Sequence, residues 1–482
     1  MALIVAIFLP LIAALLCWLK PLRKIAWGAT VLCLSASFVL AVVISGKVLV
    51  KGRAIGLAGW FEVDGLGALM VLLVSFVCTL AAVFAGGYMR HGNQQAGRLW
   101  WFYCNYNLLV FALIVVPALA DPNLVWVGVE LITLFAILLV GFESTPIALE
   151  AAWKYAILTL MGAPISLLGF LVLYWAYRGA GGGTAETWQN LQVMAPAMSP
   201  NLLKLSFLLV FVGFGTKTGF APMHTWLPDA HSQAPTPICA VLSGVKTSVP
   251  LYAVLRLLSI ILASPEARIG RWMIIIGLFS VGIAAFLLLQ VRDYKRMFAY
   301  STVEHMGIIL TAAGFATKES ASAAVTQMLN HSLTKSLCFY TAGIVLLALG
   351  TRQIRDVRGL FRLSPFAGAA LLLGALAIAG APPFPIFLSE FSILSAGIRS
   401  GHITAVAILA ILIVVAFVAI MLQVNSMLFG KPELDYSTAE AVPLSCRTAV
   451  LVAAVPVVVL GLFIPTPIHS LLQLAAQQLG GH

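Results

Sequence analysis

A series of ionisable side chains sits inside long apolar runs: Glu130, Lys217, Lys246, Glu304, His305, His331, Lys335 and Glu390. A charge placed in a bilayer core costs at least ~2.5–3.5 kcal/mol, so each needs a partner, water or a purpose. One such group is readily a packing residue bonded to the backbone; a whole series adds nothing to stability and reads as a pathway for moving charge. Glu130 stands mid-run in Val125–Thr133, with no acid or base within four positions. A Glu and a Lys on facing helices would form a pair whose proton occupancy can be switched. Lys246, in Val241-Leu242-Ser243-Gly244-Val245-Lys246-Thr247-Ser248, is a desolvated amine able to accept and release a proton. His331 and Lys335 are four apart and share a helix face, whereas His305 points away from its neighbour Glu304. Arg256, in the last third of its run, reads instead as a packing pair or a side chain that reaches the interface.

Glycine and proline surround two of these groups. Lys217 lies in Gly213-Phe214-Gly215-Thr216-Lys217-Thr218-Gly219-Phe220-Ala221-Pro222. This is not a phosphate loop, because the Gly-Lys-Thr order and the preceding strand are missing. Such a cluster around a charge predicts a discontinuous membrane helix, which exposes backbone dipoles and admits water at mid-depth. Gly380-Ala381-Pro382-Pro383-Phe384-Pro385 repeats the feature ahead of Glu390. Two broken helices five spans apart predict two inverted repeats of five helices. By that offset Glu130, on the fifth helix, corresponds to the tenth, which carries Glu304 and His305. His224 and His231 flank Trp226-Leu227-Pro228-Asp229 in a short polar connection. As zinc ligands they would need a third partner, so a point of proton access at His224, Asp229 and His231 is the better reading.

The elements that must position these residues follow from composition. The 482-residue chain is 61% hydrophobic and 9% charged, which excludes a soluble globular protein. Apolar runs near 2–19, 25–45, 65–88, 100–120, 122–141, 153–177, 202–220, 235–261, 272–290, 297–315, 320–349, 364–398, 402–429 and 447–475 predict an all-α polytopic membrane protein with about 14 transmembrane helices. The net charge of +11 is spread over short loops, with no basic stripe for phosphates to follow, so nucleic acid is not a partner. The seven cysteines show no CxxC and lie mostly in apolar runs, so they read as small buried residues, not an iron–sulfur or zinc site. Met1–Leu19 lacks a basic start and is followed by Lys20, Arg23 and Lys24, which reads as a retained first helix. With the N-terminus outside, fifteen Lys and Arg, including Arg292, Lys295 and Arg296, fall in inner loops. Nine, including Lys47, Lys51 and Arg53, fall in outer ones. Both termini are expected on the periplasmic side of a prokaryotic inner membrane.

Lys217-Thr218-Gly219-Phe220-Ala221-Pro222-Met223-His224-Thr225-Trp226-Leu227-Pro228-Asp229-Ala230-His231 closely resembles the signature of the antiporter-like subunits of respiratory complex I and its relatives. Asp293-Tyr294-Lys295-Arg296, Tyr300–Gly307, Asn330–Ser336 and Phe387-Leu388-Ser389-Glu390-Phe391 extend the resemblance over about residues 60–430. Val303-Glu304-His305-Met306-Gly307 and Pro382–Phe387 look most like component F of hydrogenase-4 and formate hydrogenlyase complexes. The resemblance implies N-terminal helices in 1–99, repeats in 100–261 (broken at 213–237) and 262–430 (broken at 380–390), and a last helix in 431–482. It implies a proton route through Glu130, Lys217, Lys246, His331 or Lys335, and Glu390, the last being Lys in some members. No cofactor is expected on this chain; nickel–iron and iron–sulfur centres, flavin or quinone would belong to a hydrophilic redox arm. The other implied partners are further antiporter-like and quinone-site-type membrane subunits, together with lipids. Rival readings are a subunit of a multi-subunit Na⁺/H⁺ antiporter, a membrane cytochrome with His305 and His331 as haem ligands, and a structural subunit with idle charges.

Overall fold

A computed structural model describes residues 1–91, 96–264, 266–267, 269–430 and 441–479. Of the cations used for orientation, Arg268 and Lys431 lie outside the described residues, as does the boundary at 431. Among the described residues ten helices are long and apolar enough to cross a membrane. They are α2 (Ala26–Lys51), α3 (Gly65–His91), α4 (Leu99–Ala118), α5 (Pro122–Val140), α6 (Pro146–Gly179), α8 (Thr236–Leu262), α9 (Gly270–Leu288), α11 (Lys318–Leu349), α13 (Ile403–Phe429) and α14 (Leu444–Leu462). Four further elements complete the bundle: α1 (Ala2–Trp18), α10 (Tyr294–Gly314) and two interrupted helices. These are α7 (Pro200–Thr218, then Trp226–Gln233) and α12 (Pro365–Ile378, then Pro385–Arg399). Among the described residues, each of the fourteen expected runs is helical, ten of them long and apolar enough to span, and both expected breaks are present. The last predicted run divides, because Phe463 is extended and Pro465 leads into a separate amphipathic helix, α15 (Thr466–Gln478).

Local chemistry sets the ends. Asp121, Thr145 and Asp293 accept hydrogen bonds from backbone amides one turn into α5, α6 and α10, satisfying donors that a membrane cannot. Thr317 and Ser320 form a reciprocal capping box on α11. Each break begins at a left-handed glycine, Gly219 (φ 88°) and Gly380 (φ 76°), where other residues are strained. At Gly380 a Cβ would also stand 2.5 Å from Glu390 Oε2, so the carboxylate occupies the space that a side chain would fill.

Burial divides the bundle into an inner and an outer set. The apolar stretch of α8 is entirely buried, whereas that of α13 is 28% buried. Ile411, Val414 and Leu422 of α13 and Leu134 of α5 are exposed, as lipid-facing helices require. The helices that carry lysine and histidine, α8, α10 and α11, form the centre.

Two faces of the bundle are distinct. On one, β1 (Ala54–Gly56) and β2 (Phe61–Val63) form a small antiparallel hairpin that no periodicity in the sequence predicts. Arg53 beside it donates to Gln189 at 2.8 Å, within the short helix Trp188–Met194. On the same face the Leu66 amide donates to Gln478 of α15. On the opposite face Asp229 meets Arg296 and Lys154.

Candidate functional site

The first cluster forms around the break in α7. Lys217 is the penultimate residue of the first half-helix, so it lies at a C-terminal end whose free carbonyls favour a cation. Its Nζ donates to Glu130 Oε2 on α5 and to Thr133 Oγ1, both at 3.0 Å. Lys217 is fully buried, and the second carboxylate oxygen of Glu130 has no hydrogen-bond partner among the described residues. Lys246 donates from α8 to the carbonyl of Lys217 at 3.0 Å. It also lies 4.2 Å from the ring centre of Trp226 and 4.8 Å from that of Tyr155, so aromatic faces take the place of an anion. Trp226 Nε1 donates to Thr216 O at 2.7 Å, which holds that ring against the break.

A π-helical turn, Leu242–Lys246, carries Lys246; such turns are rare and frequent at functional sites. Here the turn links the two halves. Ser243 Oγ lies 2.6 Å from Thr302 Oγ1 of α10, and its carbonyl accepts from His331 Nε2 of α11 at 3.3 Å. His331 in turn stands 5.2 Å, ring centre to ring centre, from His305. Its Nδ1 has no partner among the described residues.

The second cluster forms around the break in α12. His305 Nε2 lies 3.1 Å from the carbonyl of Ile378, an acceptor only, so this nitrogen carries the hydrogen. Its Nδ1 is then free to accept from Gln327 Nε2 at 3.0 Å, and it also lies 3.8 Å from Glu390 Oε1. Ser389 donates to Gln327, while Asn330 donates to Ser389 at 3.0 Å and to Pro385 O at 2.8 Å. Lys335 donates to the Phe298 carbonyl at 2.6 Å and to Ser301. No carboxylate salt-bridges it among the described residues. Glu304 is buried with one oxygen unpartnered, apart from the His305 network.

The sequence-predicted residues therefore fall into two clusters, Glu130–Lys217–Lys246 and His331–His305–Glu390, joined by the Ser243 carbonyl of the π-turn, with Lys335 on the His331 face of α11. Pro222, Pro382 and Pro383 lie in the two breaks. His224 is buried within the first break, its Nδ1 unpartnered among the described residues. His231 is packed edge-on between Trp226 and Phe339, with neither nitrogen bonded among the described residues. Asp229 forms the ion pairs of the opposite face.

Arg256 is the packing pair that its place in the run allows: at the hairpin-face end of the bundle it makes a two-pronged pair with Asp64 at the start of α3, and its Nε donates to Tyr252 Oη at 3.0 Å. The partner lies 192 positions away, and nothing local in the sequence signals it. Gln327, Asn330, Ser389, Ser243 and Thr302 were also missed, because uncharged polar residues in apolar runs do not stand out.

A row of buried acid–base groups across the middle of a helical bundle, hinged on two broken helices, defines an antiporter-like membrane subunit. The chain belongs to the family described as NADH:quinone oxidoreductase/Mrp antiporter, TM, whose model matches residues 121–416. Residues 57–98 match the complex I chain 5 N-terminus model. A relative, the hydrogenase-4 component F homolog of Methylacidiphilum infernorum (isolate V4), is 38% identical over 385 residues, 78% of this chain and 81% of its own. A chain of the membrane-bound sulfane sulfur reductase, an archaeal respiratory membrane complex, shares the fold at a TM-score of 0.87 and 24% identity, over 99% of this chain and 97% of that one. A chain of the Mrp complex of Dietzia sp. DQ12-45-1b does so at 0.84 and 18%, over 98% and 97%.

Proposed function

We propose that this protein carries protons through the membrane as one subunit of a redox-driven complex. The carrying observation is the row from half-buried Glu130 through buried Lys217 and Lys246 to buried His331, His305 and Glu390, each on a different helix, in which the Ser243 carbonyl of the π-turn links the Lys246 and His331 ends. Residues 100–261 and 262–430 would each supply one half-channel. Protons would enter near Asp229, His224 and His231, and the π-turn of α8 would join the halves.

The Glu130–Lys217 pair is the switch. While Lys217 is held by Glu130, its positive charge is neutralised and Lys246 can keep a proton over the Trp226 ring. Opening the pair would leave Lys217 charged beside Lys246, and like charges at short range favour release of the second proton toward Ser243 and His331. Moving one charge across 100 mV takes about 2.3 kcal/mol, a scale that a buried pair of a few kcal/mol can supply. His305, hydrogen-bonded through Nε2, can take a proton on Nδ1 once the Gln327 amide turns away from that nitrogen, and hand it to Glu390.

The bond-making chemistry would belong to partners. Nickel–iron and iron–sulfur centres, or flavin and quinone, are assigned to a hydrogenase-like or NADH dehydrogenase-like arm; other antiporter-like subunits and lipids would flank the chain. Similarity to hydrogenase-4 component F supports the hydrogenase form. We place both termini outside a prokaryotic inner membrane from the loop charges. Mass spectrometry of proteins that co-purify with the tagged chain in gentle detergent tests the assignment. A nickel–iron hydrogenase-like large subunit with iron–sulfur proteins is the expected result. Small membrane subunits alone, with sodium-dependent proton movement, would instead establish a multi-subunit Na⁺/H⁺ antiporter, the reading that the Mrp-like fold favours.

A further inference from the structure

On the hairpin face, α15 partly covers a small, partly open cavity of about 150 Å³ between α11, α12 and α14. Its walls include Ser322, Thr326, Asn330 and Ser392, and its roof is His469 and Gln473 of α15. Ser322, Thr326 and Ser392 also line a second cavity of about 390 Å³ that extends to Glu319 and Arg399 at the helix ends. A water needs about 10–15 Å³ of such space and two to four polar partners, so the smaller cavity has room for several. Its hydroxyls can serve them: Thr326 Oγ1 donates to Ser322 O at 2.8 Å and Ser392 Oγ to Leu388 O at 2.7 Å, which leaves their lone pairs to accept.

The deep end of the cavity is Asn330, and from there direct hydrogen bonds run to Ser389, Gln327 and His305, with Glu390 3.8 Å further. The shallow end is His469, exposed on the first turn of α15, its Nε2 2.9 Å from Gln473 Nε2. The amide nitrogen donates, so Nε2 accepts and Nδ1 carries the hydrogen. A titratable ring at the surface thus stands over a space in which these hydroxyls share the wall with Pro385, Leu388, Leu460, Ile464 and Leu472, and whose floor is bonded to the Glu390 cluster.

We propose that this cavity is the water-filled outlet of the second half-channel and that His469 exchanges the proton between it and bulk solvent. One nitrogen would take a proton from the cavity while the other returns one to solvent. The inference rests on the reading of the chain as a proton conductor; α15 then acts as the lid of the route.

The test uses the intact complex in native membrane vesicles of both orientations. Thr326→Cys is expected to react with a membrane-impermeant methanethiosulfonate faster than the wild type's own cysteines. It should do so only from the face that also labels Arg53→Cys, and His469→Trp should slow it. His469→Ala is expected to reduce proton translocation in weakly buffered medium by about tenfold, with electron transfer unchanged and translocation restored by added imidazole. Labelling of Thr326→Cys no faster than wild type, or undiminished translocation in His469→Ala, would overturn the proposal. Failure of the proton-conductor reading would look different: Lys217→Ala would translocate normally while Thr326→Cys was still labelled.

Discussion

At the break in α7, Lys217 faces Glu130 at 3.0 Å with Thr133 completing its shell. At the break in α12, His305 faces Glu390 at 3.8 Å while an amide already occupies the same ring nitrogen. The first half balances charge with charge. The second surrounds its groups with neutral partners: Lys335 rests on a carbonyl and a hydroxyl, and His305 lies between a carbonyl and Gln327. The backbone follows the same division. The first break presents a helix C-terminus to a lysine, and the second carries a glutamate on the half-helix that starts after it. An ion pair makes a switch with two states of different charge; a chain of neutral donors and acceptors makes a relay.

The largest effect should come from splitting the pair. Lys217→Ala leaves half-buried Glu130 without its counter-charge, and breaking such a pair from its buried side costs about 3 kcal/mol, the low end of the buried-pair range; thermal unfolding in detergent would read this as a marked loss of Tm. Lys335→Ala removes only hydrogen bonds to neutral groups, and about 1–3 kcal/mol is expected. Equal losses would erase the distinction between the halves.

A double-mutant cycle sharpens it. Glu130→Gln with Lys217→Met should show a coupling well above that of His305→Asn with Glu390→Gln, within the 0.5–3 kcal/mol range of contacting residues. A larger coupling in the second pair would mean that Gln327 does not mediate it. Next in size is Arg256→Lys, which keeps the charge but loses the two-pronged contact with Asp64. It should cost about 1–2 kcal/mol and leave proton translocation near wild type.

A separate, pH-dependent effect lies outside the spans. Burial pushes the Glu186 carboxyl up to about 7, with nearby Asp121 adding to the rise and a hydrogen bond from Asn123 opposing it. A raised carboxyl binds its proton more tightly in the folded state, so stability falls as pH rises from about 4.5 to 7 and is level above. Glu186→Gln, which can still accept from Asn123, should therefore raise Tm at pH 8 and leave it unchanged at pH 4. A gain at pH 4 equal to that at pH 8 would contradict a titrating carboxyl.

Much of this arrangement was legible because membranes make polarity conspicuous. A lysine such as Lys217 in an apolar run is visible at once, and Gly-Ala-Pro-Pro at 380–383 announces a break whatever the tertiary structure. Pairings were another matter. Glu130 and Lys217 are 87 positions apart, and their contact follows from resemblance and helix count, not local pattern. Asp64 stands just before the apolar run of α3, and its hold on Arg256 depends on how α3 and α8 cross. The relay of Gln327, Asn330 and Ser389 was invisible for a different reason: amides and hydroxyls bond equally well to their own helix, so only three-dimensional packing shows which ones face inward. The division of the last run at Pro465 was in the sequence as Ile464-Pro465-Thr466-Pro467, and continuous hydropathy concealed it.

The central claim is that the Glu130–Lys217 pair controls proton movement. The most direct measurement is proton translocation alongside electron transfer in the intact complex carrying Lys217→Ala, in vesicles from the native membrane. The account predicts that translocation through this subunit is lost while electron transfer continues. Undiminished translocation at unchanged electron transfer would contradict it.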